Sequence, residues 1–592
     1  MIRFLARKRV LILGEDTRSF LSVIRSLGEA GMVVDVVTLI NTTPTLSSKW
    51  ISKIFKLNYQ AYSQNDWQTA LTKIIDSGNY DLVIPCDERS LYPLLDIKET
   101  TQSNTIFAIP ERDILGPLFD KEQTKHLAQQ LGISVARGEH IDLNDTSSKK
   151  LIDEFGLPVV LKPSMSYESE QLNHRNSVMI AWSAKDIEIF KQTNPQCLVE
   201  EYFFGTGMGV SVFSCKGKIR AAFAHRRVSE PERGGGSSYR KAWPLSPDML
   251  DACQKICVHL NYTGVGMFEF KYNDATKRWI LIEINARFWG SLPLAIFAGV
   301  DFPKLLAIHL LTDQRPYKLT YNLKAHARSL TSDIYDMKAS FDAKRQTMGN
   351  IKALFNTLPR LTSFLRLLTG NDTIDSFHWK DKLPFYVELK QLFGDKLHQL
   401  VTFNEIEGLT SVDCKTLSCT PLDEILVICY GNIMRSPFAV ALIKKAFEKH
   451  NISIEVKGAG FHQNSGRKSP ERCIVQAQRW GIDLSSHRSA WLSQAMIKSR
   501  GQLIVYFDLK HHYLLESYYA NYNAINLAHF VPKPKGPLRE IADPYDESEE
   551  ALRMCYENID SAVDALVAEI IKCGLIKKNK HDSTHDSLVS TH

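Results

Sequence analysis

Cys429 and Arg435 are the residues of this sequence best suited to covalent chemistry on a phosphate. The apolar run 424–428 predicts a strand that ends at Cys429, and the segment from Ser436 to Lys449 predicts a helix. Backbone N–H groups in a short loop between a strand and a helix converge on an anion, and the helix dipole favours a thiolate there. The planar guanidinium of Arg435 can donate hydrogen bonds to two phosphate oxygens while the cysteine sulfur attacks phosphorus. We therefore predict a nucleophilic cysteine in a phosphate-binding loop.

Ser436 and Pro437 open the predicted helix. Serine is a favoured N-cap residue and proline a favoured first helical residue, so we assign them to those positions. The Ser436 hydroxyl is also suited to donate a hydrogen bond to the sulfur, which would help the sulfur leave in a second step.

The same spacing occurs again between Cys473 and Arg479. Spacing alone is not specific in a chain with eleven cysteines. The intervening segment 474–478 contains no glycine and predicts a helix, which cannot curl around an anion. We expect this second pair to be structural.

Asp543 is the candidate proton donor for a leaving oxygen. It lies in the segment 541–546, where Pro544 restrains the backbone and Tyr545 is placed to flank an aromatic substrate. An Asp-Pro pair by itself is also typical of an ordinary turn.

Together these segments resemble the low-molecular-weight protein tyrosine phosphatases over about residues 423–570. Further matching segments are 458–460 and 481–489. The resemblance implies Cys429 as nucleophile, Arg435 as phosphate binder, Asn432 as loop organiser and Asp543 as acid and then base. It also implies a phosphotyrosine protein or a small aryl phosphate as substrate.

The sequence departs from that family at three positions. Gly458 replaces a usual serine, Ala490 replaces an arginine, and Met434 replaces a second cysteine that many members carry. Arsenate reductases share the fold and need redox-active partner cysteines, for which Cys473 and Cys555 are the candidates. Both lie in segments that predict helices, which disfavours this alternative.

A second group of residues is suited to binding a nucleotide and a metal. Lys162 ends an apolar strand, and the segment 198–203 has the form of an extended hinge whose backbone can read an adenine edge. Glu269 lies in one predicted strand, while Glu283 and Asn285 share one face of another. Hard oxygen ligands of this type suit Mg²⁺ that bridges phosphates. The phosphate-loop motif of P-loop NTPases and the GxGxxG dinucleotide motif are both absent.

This ordered set resembles the ATP-grasp superfamily, specifically the carboxylate–amine ligases, over about residues 8–400. The resemblance implies ATP and Mg²⁺ (or Mn²⁺) as cofactors, and a small-molecule carboxylate and an amine as substrates. By the same resemblance, Lys121 and Lys162 contact phosphates and adenine, and Arg287 holds the carboxylate or acyl phosphate. The adenine hinge is then formed by Glu200, Glu201 and Phe203, and the metal ligands are Glu269, Glu283 and Asn285.

The glycine-rich segment 231–238 resembles the flap that covers the triphosphate in these enzymes. Arg226 and Arg227 come shortly before it, where positive charge suits phosphate oxygens. Gly207 occupies the position at which other ATP-grasp enzymes have an acidic residue that binds the ribose. The sequence therefore defines the nucleotide preference less well than it defines the metal site.

The elements that must position these residues are predicted from apolar runs. Strands at 9–14, 33–37 and 80–85 with a helix at 19–30 predict a parallel βα sheet. A helix is expected at 121–131 and a long, basic helical region at 335–402. That region suits packing on the preceding domain better than a membrane surface. The remaining predicted strands are 158–163, 197–202, 209–214, 267–272 and 279–285.

The predicted fold class is a multidomain chain of α/β and α+β domains. It consists of an ATP-grasp fold with an N-terminal βα domain and a helical extension, followed by a parallel-sheet phosphatase domain. The predicted ranges are 1–115 for the βα domain, 116–312 for ATP-grasp, 313–405 for the helical extension, 406–422 for a linker, 423–572 for the phosphatase and 573–592 for a disordered tail.

Composition supports an ordinary globular protein of 592 residues, with 44% hydrophobic and 23% charged residues. A net charge of +6 on a chain of this size gives no reason to expect a nucleic-acid partner. No apolar run is long enough to span a bilayer, and the start lacks the order of a signal peptide. The scattered cysteines suggest reduced thiols, so we expect a cytoplasmic protein.

Three functional hypotheses remain open from the sequence. In the first, both halves are working enzymes. In the second, the ATP-grasp half is a ligand sensor and the phosphatase half dephosphorylates a partner. In the third, the phosphatase acts on a small phosphorylated metabolite that the ligase handles.

Overall fold

The structure is a computed structural model that describes residues 4–40, 43–57, 64–167, 172, 176–230, 236–312, 314–348, 350–392, 421–462, 465–519, 522–532, 540–545 and 547–575. The chain divides into two compact units. The described residues up to 392 belong to the first unit, and residues 421–575 belong to the second. Most of the predicted linker, segment 231–235 of the flap and almost all of the predicted tail lie outside the described residues.

The first unit begins with a five-stranded parallel sheet of order β3-β2-β1-β4-β5. Its elements are β1 (Arg9–Gly14), α1 (Ser19–Glu29), β2 (Val33–Thr38), β3 (Ile51–Lys56), α2 (Gln64–Gly78), β4 (Leu82–Pro85), α3 (Glu88–Thr100) and β5 (Ile106–Phe107). The strand order reverses between β1 and β4, and ligands of such sheets bind at the carboxyl ends of the strands at this point. The sequence analysis missed β3, whose middle residues are exposed at the sheet edge.

A small antiparallel sheet follows, with the order β6-β9-β7-β8. Its elements are α4 (Leu115–Phe119), α5 (Lys121–Gln130), β6 (Gly138–Asp142), α6 (Ser148–Phe155), β7 (Val159–Lys162), β8 (Met179–Ala181), α7 (Ala184–Lys191) and β9 (Gln196–Glu201). Helices α6 and α7 pack apolar side chains on this sheet in a core of its own. The predicted strands around Lys162 and the hinge are confirmed.

A seven-stranded sheet completes the first unit, with the order β14-β13-β10-β11-β12-β15-β16. Its elements are β10 (Thr206–Cys215), β11 (Lys218–Ser229), β12 (Tyr239–Ala242), α8 (Pro247–His259), β13 (Gly264–Tyr272), β14 (Trp279–Asn285), α9 (Leu292–Phe297), α10 (Phe302–Leu311) and β15 (His326–Arg328). All pairings are antiparallel except that of β15 with β16.

The region expected to be helical from 335 to 402 is only partly helical. It contains α11 (Leu330–Met348), α12 (Asn350–Thr362) and α13 (383–392), but also the strand β16 (Asp372–Ile374). Asp372 accepts a hydrogen bond from Arg328, and both side chains are buried. The uninterrupted helical prediction is therefore wrong at β16, because a buried ion pair and sheet pairing outweigh local propensity there. Among the described residues, no helix combines the length and apolar character needed to cross a bilayer.

The second unit contains a four-stranded parallel sheet of order β18-β17-β19-β20. Its elements are β17 (Glu424–Cys429), α14 (Arg435–Lys449), β18 (Glu455–Gly460), α15 (Glu471–Ala477), β19 (Gln502–Tyr506), α16 (Leu509–Tyr518), β20 (Ala524–Asn526) and α17 (Glu549–Lys572). Every residue of the central strand β17 is buried, and α14 packs against both β17 and α17. The loop between β17 and α14 therefore leaves the carboxyl end of a rigid central strand.

The expectation of reduced thiols holds for eight buried cysteines but not for Cys573, which is disulfide-bonded.

Candidate active sites

The phosphate-binding loop is formed by residues 430–434 between β17 and α14. Cys429 is 3% exposed, and its Sγ accepts a hydrogen bond from the backbone N of Asn432 over 3.1 Å. Its Sγ also lies 3.0 Å from Ser436 Oγ. Asn432 has a φ of 50°, a left-handed conformation in which asparagine is better tolerated than most side chains. The loop thus turns a backbone amide and a hydroxyl toward the sulfur.

Asn432 connects the loop to neighbouring residues through its side chain and its carbonyl. Its side-chain Nδ2 donates to Ser436 Oγ over 2.8 Å, and its Oδ1 accepts from the backbone N of Ala490 over 2.8 Å. His487 Nε2 donates to the Asn432 carbonyl over 2.7 Å. Burial lowers the pKa of His487, which keeps the imidazole neutral. The backbone of Ala490 therefore supports the loop although the arginine usual at this position is missing.

Ser436 was predicted to be the N-cap residue of helix α14, and this prediction is wrong. Helix α14 begins at Arg435 with Met434 as its N-cap residue, and no side chain caps it. Ser436 and Pro437 are the second and third helical residues. The helix begins at Arg435, two residues before the predicted start at Pro437, so the loop is two residues shorter than predicted. The Ser436 hydroxyl contacts Cys429 and Asn432 instead of capping the helix.

Arg435 is 1% exposed and its guanidinium is held by two carboxylates. Its Nη1 donates to Asp508 Oδ2 over 2.6 Å and to the carbonyl of Ile541 over 3.0 Å, while its Nη2 donates to Asp543 Oδ2 over 2.7 Å. Burial opposes the charge of Arg435, but Cys429, Asp543 and Asp508 together raise its pKa. Its Nε is buried and has no acceptor among the described residues, so a donor remains for an incoming anion.

Asp508 is a site residue that the sequence analysis missed. It lies directly before α16, where its Oδ1 caps the helix by accepting from the backbone N of His511 over 2.9 Å. The only sequence signal was its position after the apolar strand β19, at the same edge of the sheet as Cys429. Its contact with Arg435 depends on a pairing of strands that sequence spacing does not reveal.

The loop that carries Asp543 is fixed by Arg472 from α15. Arg472 Nη2 donates to the carbonyl of Pro544 over 2.7 Å, and Nη1 donates to the carbonyl of Glu547 over 2.7 Å. Arg472 also donates to the carbonyl of Tyr545. The Asp543 side chain is 45% exposed, in contrast to the buried guanidinium that it contacts. Arg472 thus holds the backbone of this loop while the Asp543 side chain remains half-exposed.

The mouth of this site is aromatic and basic. Tyr430 is 41% exposed and Tyr545 is 55% exposed. Lys510 Nζ lies 4.3 Å from the centre of the Tyr430 ring, and Arg467 Nη2 donates to the carbonyl of Gly431 over 2.5 Å. An aromatic ring bearing a phosphate can contact the two tyrosines, while the cations attract negative charge around it.

The second cysteine–arginine pair, Cys473 and Arg479, lies in helical segments and not in a loop, as expected. Cys473 lies in α15 and is fully buried, whereas Arg479 is exposed. Burial raises the pKa of Cys473 to about 11 and that of Cys555 to about 12. Neither thiol is poised to ionise, which disfavours the redox role of an arsenate reductase.

In the first unit, Lys162 and Glu200 form a buried ion pair with Lys125. Glu200 Oε2 lies 2.6 Å from Lys162 Nζ, and Glu200 Oε1 lies 2.7 Å from Lys125 Nζ. Burial disfavours the carboxylate, but the two ammonium groups outweigh burial and lower the pKa of Glu200. Lys125 was not singled out from the sequence, and it falls one helical turn after Lys121 on α5.

The other hinge residues are more open. Glu201 ends β9 and pairs with Arg137 at a separation of 2.6 Å, with both side chains about half exposed. Phe203 lies in the connection from β9 to β10 and is half-buried. Glu200 therefore points to the lysines, and only the backbone of the hinge is available to read a base edge.

Glu269, Glu283 and Asn285 come together across two paired strands. Glu269 on β13 is directly opposite Glu283 on β14, and Asn285 Nδ2 donates to Glu283 Oε1 over 3.1 Å. Burial raises the pKa of Glu269 despite its ion pair with Arg227. Burial also opposes ionisation of Glu283, but Lys121, Asn285, Lys162 and Arg287 together lower its pKa.

Two half-buried carboxylates that face each other favour a divalent cation between them. No cluster of three or more His, Cys, Asp or Glu side chains suited to a metal occurs in the described part of the chain. Glu269, Glu283 and Asn285 supply oxygen donors, which suit Mg²⁺.

The two arginines before the flap face different ways. Arg227 donates to Glu269 over 2.7 Å, so it lies at the candidate metal site. Arg226 is paired with Asp274 and lies 5.0 Å from the ring centre of Trp243. Successive residues of β11 point to opposite faces. The structure thus brings Arg227 to the candidate metal site and does not bring Arg226 there.

Arg287 follows β14 and stands between the metal-site carboxylates and the end of β4. Its charge acts on Glu283 and on Glu88, the first residue of α3. Glu88 is 5% exposed, and burial raises its pKa. Sequence reasoning missed Glu88, although it follows the apolar strand β4 at the point where the strand order reverses.

Gly207 donates its backbone N–H to Glu230 Oε1 over 2.5 Å. The Glu230 carboxylate therefore lies beside Gly207, the position at which the sequence lacks an acidic residue for the ribose.

Comparison with known proteins finds a family match in each unit. The family model for low molecular weight phosphotyrosine protein phosphatase matches residues 424–575, and the model for ATP-grasp in the biosynthetic pathway with Ter operon matches residues 193–332. The probable low molecular weight protein-tyrosine-phosphatase EpsP of Ralstonia nicotianae is 31% identical over 158 residues, which are 25% of this chain and 97% of that protein. A protein-arginine-phosphatase of Bacillus subtilis is 22% identical over 151 residues, covering 25% of this chain and 97% of the relative.

Among solved structures, an L-amino acid ligase from Bacillus licheniformis covers 52% of this chain and 74% of its own chain, at 14% identity and a TM-score of 0.42. The chain belongs to the low-molecular-weight protein-tyrosine-phosphatase family through its C-terminal unit, and it carries an ATP-grasp domain before it. Both domains are of enzyme families.

Proposed function

We propose that the second unit hydrolyses aryl phosphate monoesters through a phosphocysteine. The observation that carries this proposal is the position of Cys429 Sγ, 3.1 Å from the Asn432 amide and 3.0 Å from Ser436 Oγ, beside the buried Arg435. These donors stabilise a thiolate and then the sulfur as a leaving group.

In the first step, the Cys429 thiolate attacks phosphorus and the ester bond breaks. Arg435 and the loop amides neutralise charge on the phosphoryl oxygens. Asp543 gives its proton to the leaving phenolic oxygen, as general acid. Because Asp543 accepts a hydrogen bond from Arg435 Nη2, a phosphate that binds this nitrogen must replace the carboxylate.

In the second step, Asp543 accepts a proton from water, and the water oxygen attacks the phosphocysteine. The S–P bond breaks, inorganic phosphate leaves, and the thiolate is regenerated with the Ser436 hydroxyl as its hydrogen-bond donor. The substrate class follows from the mouth of the site, since Tyr430 and Tyr545 favour a phenyl phosphate, either phosphotyrosine in a protein or a small aryl phosphate.

The test is hydrolysis of p-nitrophenyl phosphate by the full chain and by Cys429→Ser, with Cys473→Ser as the matched control. We expect no measurable turnover with Cys429→Ser and unchanged turnover with Cys473→Ser. Acid quenching with a ³²P-labelled aryl phosphate should trap label on the unaltered chain only. Retained hydrolysis by Cys429→Ser would refute the nucleophile assignment.

We propose that the first unit is a ligase that joins a carboxylate to an amine at the expense of ATP. Lys121, Lys162 and the β9 backbone would bind the nucleotide, and Glu269, Glu283 and Asn285 would hold Mg²⁺. The metal, when bound with ATP, neutralises charge on the phosphates as the γ-phosphoryl group is transferred. The acid's carboxylate oxygen attacks the γ-phosphorus, ADP leaves, and an amine displaces phosphate from the acyl phosphate to give an amide.

Glu88 supports this reaction as a proton acceptor for the amine. Its carboxyl is buried, its pKa is raised, and it interacts electrostatically with Arg287. An amine attacks only after it has lost its proton, so an acidic side chain with a raised pKa suits this task. The amine can reach this site from the carboxyl ends of the strands of the first sheet, at the reversal of strand order between β1 and β4.

The test is ADP formation by Cys429→Ser, which removes the phosphatase, with MgATP and a panel of amino acids and amines. We expect ADP only when both an acid and an amine are present. Tight ATP binding with no turnover for any pair would favour the sensor hypothesis instead.

A further inference from the structure

A cavity of about 650 Å³ lies in the first unit next to Arg287. It is lined by the ends of β4 and β5, by the segment that enters β13, and by the residues that follow β14. Its volume is within the range of small-molecule sites. The metal-binding carboxylates and the nucleotide hinge are not part of its lining, so the sites described above leave it unused.

The buried residues that line this cavity are mostly apolar, whereas its exposed lining residues are mostly polar or charged. The buried lining residues include Leu91, Phe107, Tyr262, Val265, Phe288 and Leu306, together with the polar Thr105. Lys98 and Glu111 lie on the lining as well, and they form an exposed ion pair with each other. An apolar chamber behind a charged rim suits a hydrocarbon group more than a polar one.

Arg287 supplies the polar end of this chamber. Its Nη1 donates to the carbonyl of Phe288 over 2.9 Å, and it forms no ion pair with a carboxylate among the described residues. Its Nε is buried and likewise has no acceptor there. A guanidinium with open donors next to Glu283 is suited to hold a carboxylate close to the metal-binding face of β14.

We propose that the cavity holds the apolar tail of the acid substrate, with the acid's carboxylate on Arg287. The proposal rests on the ligase function above and assigns its acid to one class, monocarboxylic acids with a hydrocarbon chain or ring. Small polar acids and free amino acids with charged side chains would leave the apolar walls unfilled, so they are poor substrates.

Hydroxylamine gives a direct test, because it captures an acyl phosphate whichever amine is natural. The full chain with Cys429→Ser is incubated with MgATP, hydroxylamine and acetate, butyrate, hexanoate, octanoate or succinate, and hydroxamate and ADP are measured. Each buried methylene contributes about 0.8 kcal/mol, so kcat/KM should rise by about fourfold per methylene until the cavity is filled. Succinate should give less hydroxamate than butyrate.

Variants that narrow the cavity test its role. Ile106→Trp and Leu310→Trp fill it from different walls and should lower kcat/KM for octanoate at least tenfold while changing that for butyrate less than twofold. Ile189→Trp on α7 is the matched control, because Ile189 is exposed and does not line the cavity. MgATP binding by each variant reports whether it is folded.

The outcomes separate the two proposals. If neither the acid series nor the panel of amino acids yields ADP or hydroxamate, the ligase function fails and this assignment fails with it. If acids are activated but chain length has no effect, or if neither folded Trp variant changes the preference, the cavity assignment is overturned while the ligase function stands. A chain-length preference that both Trp variants abolish supports the assignment.

Discussion

Asp508 and Asp543 each accept a hydrogen bond from a different terminal nitrogen of the Arg435 guanidinium. Arg435 Nη1 donates to Asp508 over 2.6 Å and Nη2 donates to Asp543 over 2.7 Å. The two carboxylates differ in exposure, at 12% for Asp508 and 45% for Asp543. We interpret Asp508 as the permanent partner that orients the arginine and Asp543 as the partner that substrate displaces.

Asp508→Asn should therefore impair phosphate binding. A hydrogen bond to a charged group contributes about 1.5–3 kcal/mol, so kcat/KM for p-nitrophenyl phosphate should fall roughly 10–100-fold, mainly through KM. Asp483→Asn is the control, since that carboxylate is exposed. An unchanged KM would show that Arg435 does not need Asp508.

Asp543→Asn should slow the enzyme most for poor leaving groups. General acid catalysis contributes about 10²–10⁴-fold, and a good leaving group such as p-nitrophenolate needs less of it than tyrosine does. KM should fall at the same time, because a neutral amide competes less with phosphate for Arg435. Equal slowing of p-nitrophenyl phosphate and phosphotyrosine would contradict the acid role.

Arg472→Gln should act through the acid loop. Loss of its donors to the carbonyls of Pro544 and Glu547 frees the loop, so kcat for phosphotyrosine should fall about tenfold with little change in KM. Arg479→Gln provides the comparison on the same side of the domain and should leave both constants unchanged. A KM effect without a kcat effect would assign Arg472 to substrate binding instead.

Glu283→Gln should weaken metal-dependent turnover of the ATP-grasp half. Removal of one of two facing carboxylates should raise the Mg²⁺ concentration needed for half-maximal ADP formation by more than the roughly 10–100-fold typical of outer-shell changes. Glu139→Gln on the exposed side of β6 serves as the control. Unchanged Mg²⁺ dependence would place the metal elsewhere.

His511 should make the phosphatase unit sensitive to acid. Burial lowers the pKa of this fully buried histidine to about 3, from an ordinary value near 6.5. Between pH 6.5 and 3 the unfolded chain binds a proton that the folded unit does not, so the free energy of unfolding falls by about 1.4 kcal/mol per pH unit. Above pH 6.5 the group has no such effect.

The measurement is hydrogen exchange of β17 and β19 peptides in the full chain at pH 6.5 and at pH 5. The unaltered chain should lose protection relative to His511→Phe as the pH falls, because phenylalanine removes the titrating group from its contacts with Phe461 and Phe507. Parallel behaviour of the two proteins would argue that His511 does not control acid stability.

The local features of both sites follow from short stretches of the amino-acid sequence. The apolar run before Cys429 and the helix-forming residues after Arg435 predicted the strand, the loop and the helix, because these depend on short-range propensity and burial pattern. The alternation of Glu283 and Asn285 likewise placed them on one strand face. Cys473 and Arg479 were correctly set aside, since a segment without glycine forms a helix there.

Contacts between side chains that are distant along the chain depend on how the elements pack. Asp508, Arg472, Glu88 and Lys125 act through partners on other strands and helices, and sequence spacing carries no information about such partners. The same reason explains why Arg227 rather than Arg226 reaches Glu269, and why Ser436 faces Cys429 instead of capping α14. Local propensity fixes an element, whereas pairing and packing between elements fix what its side chains contact.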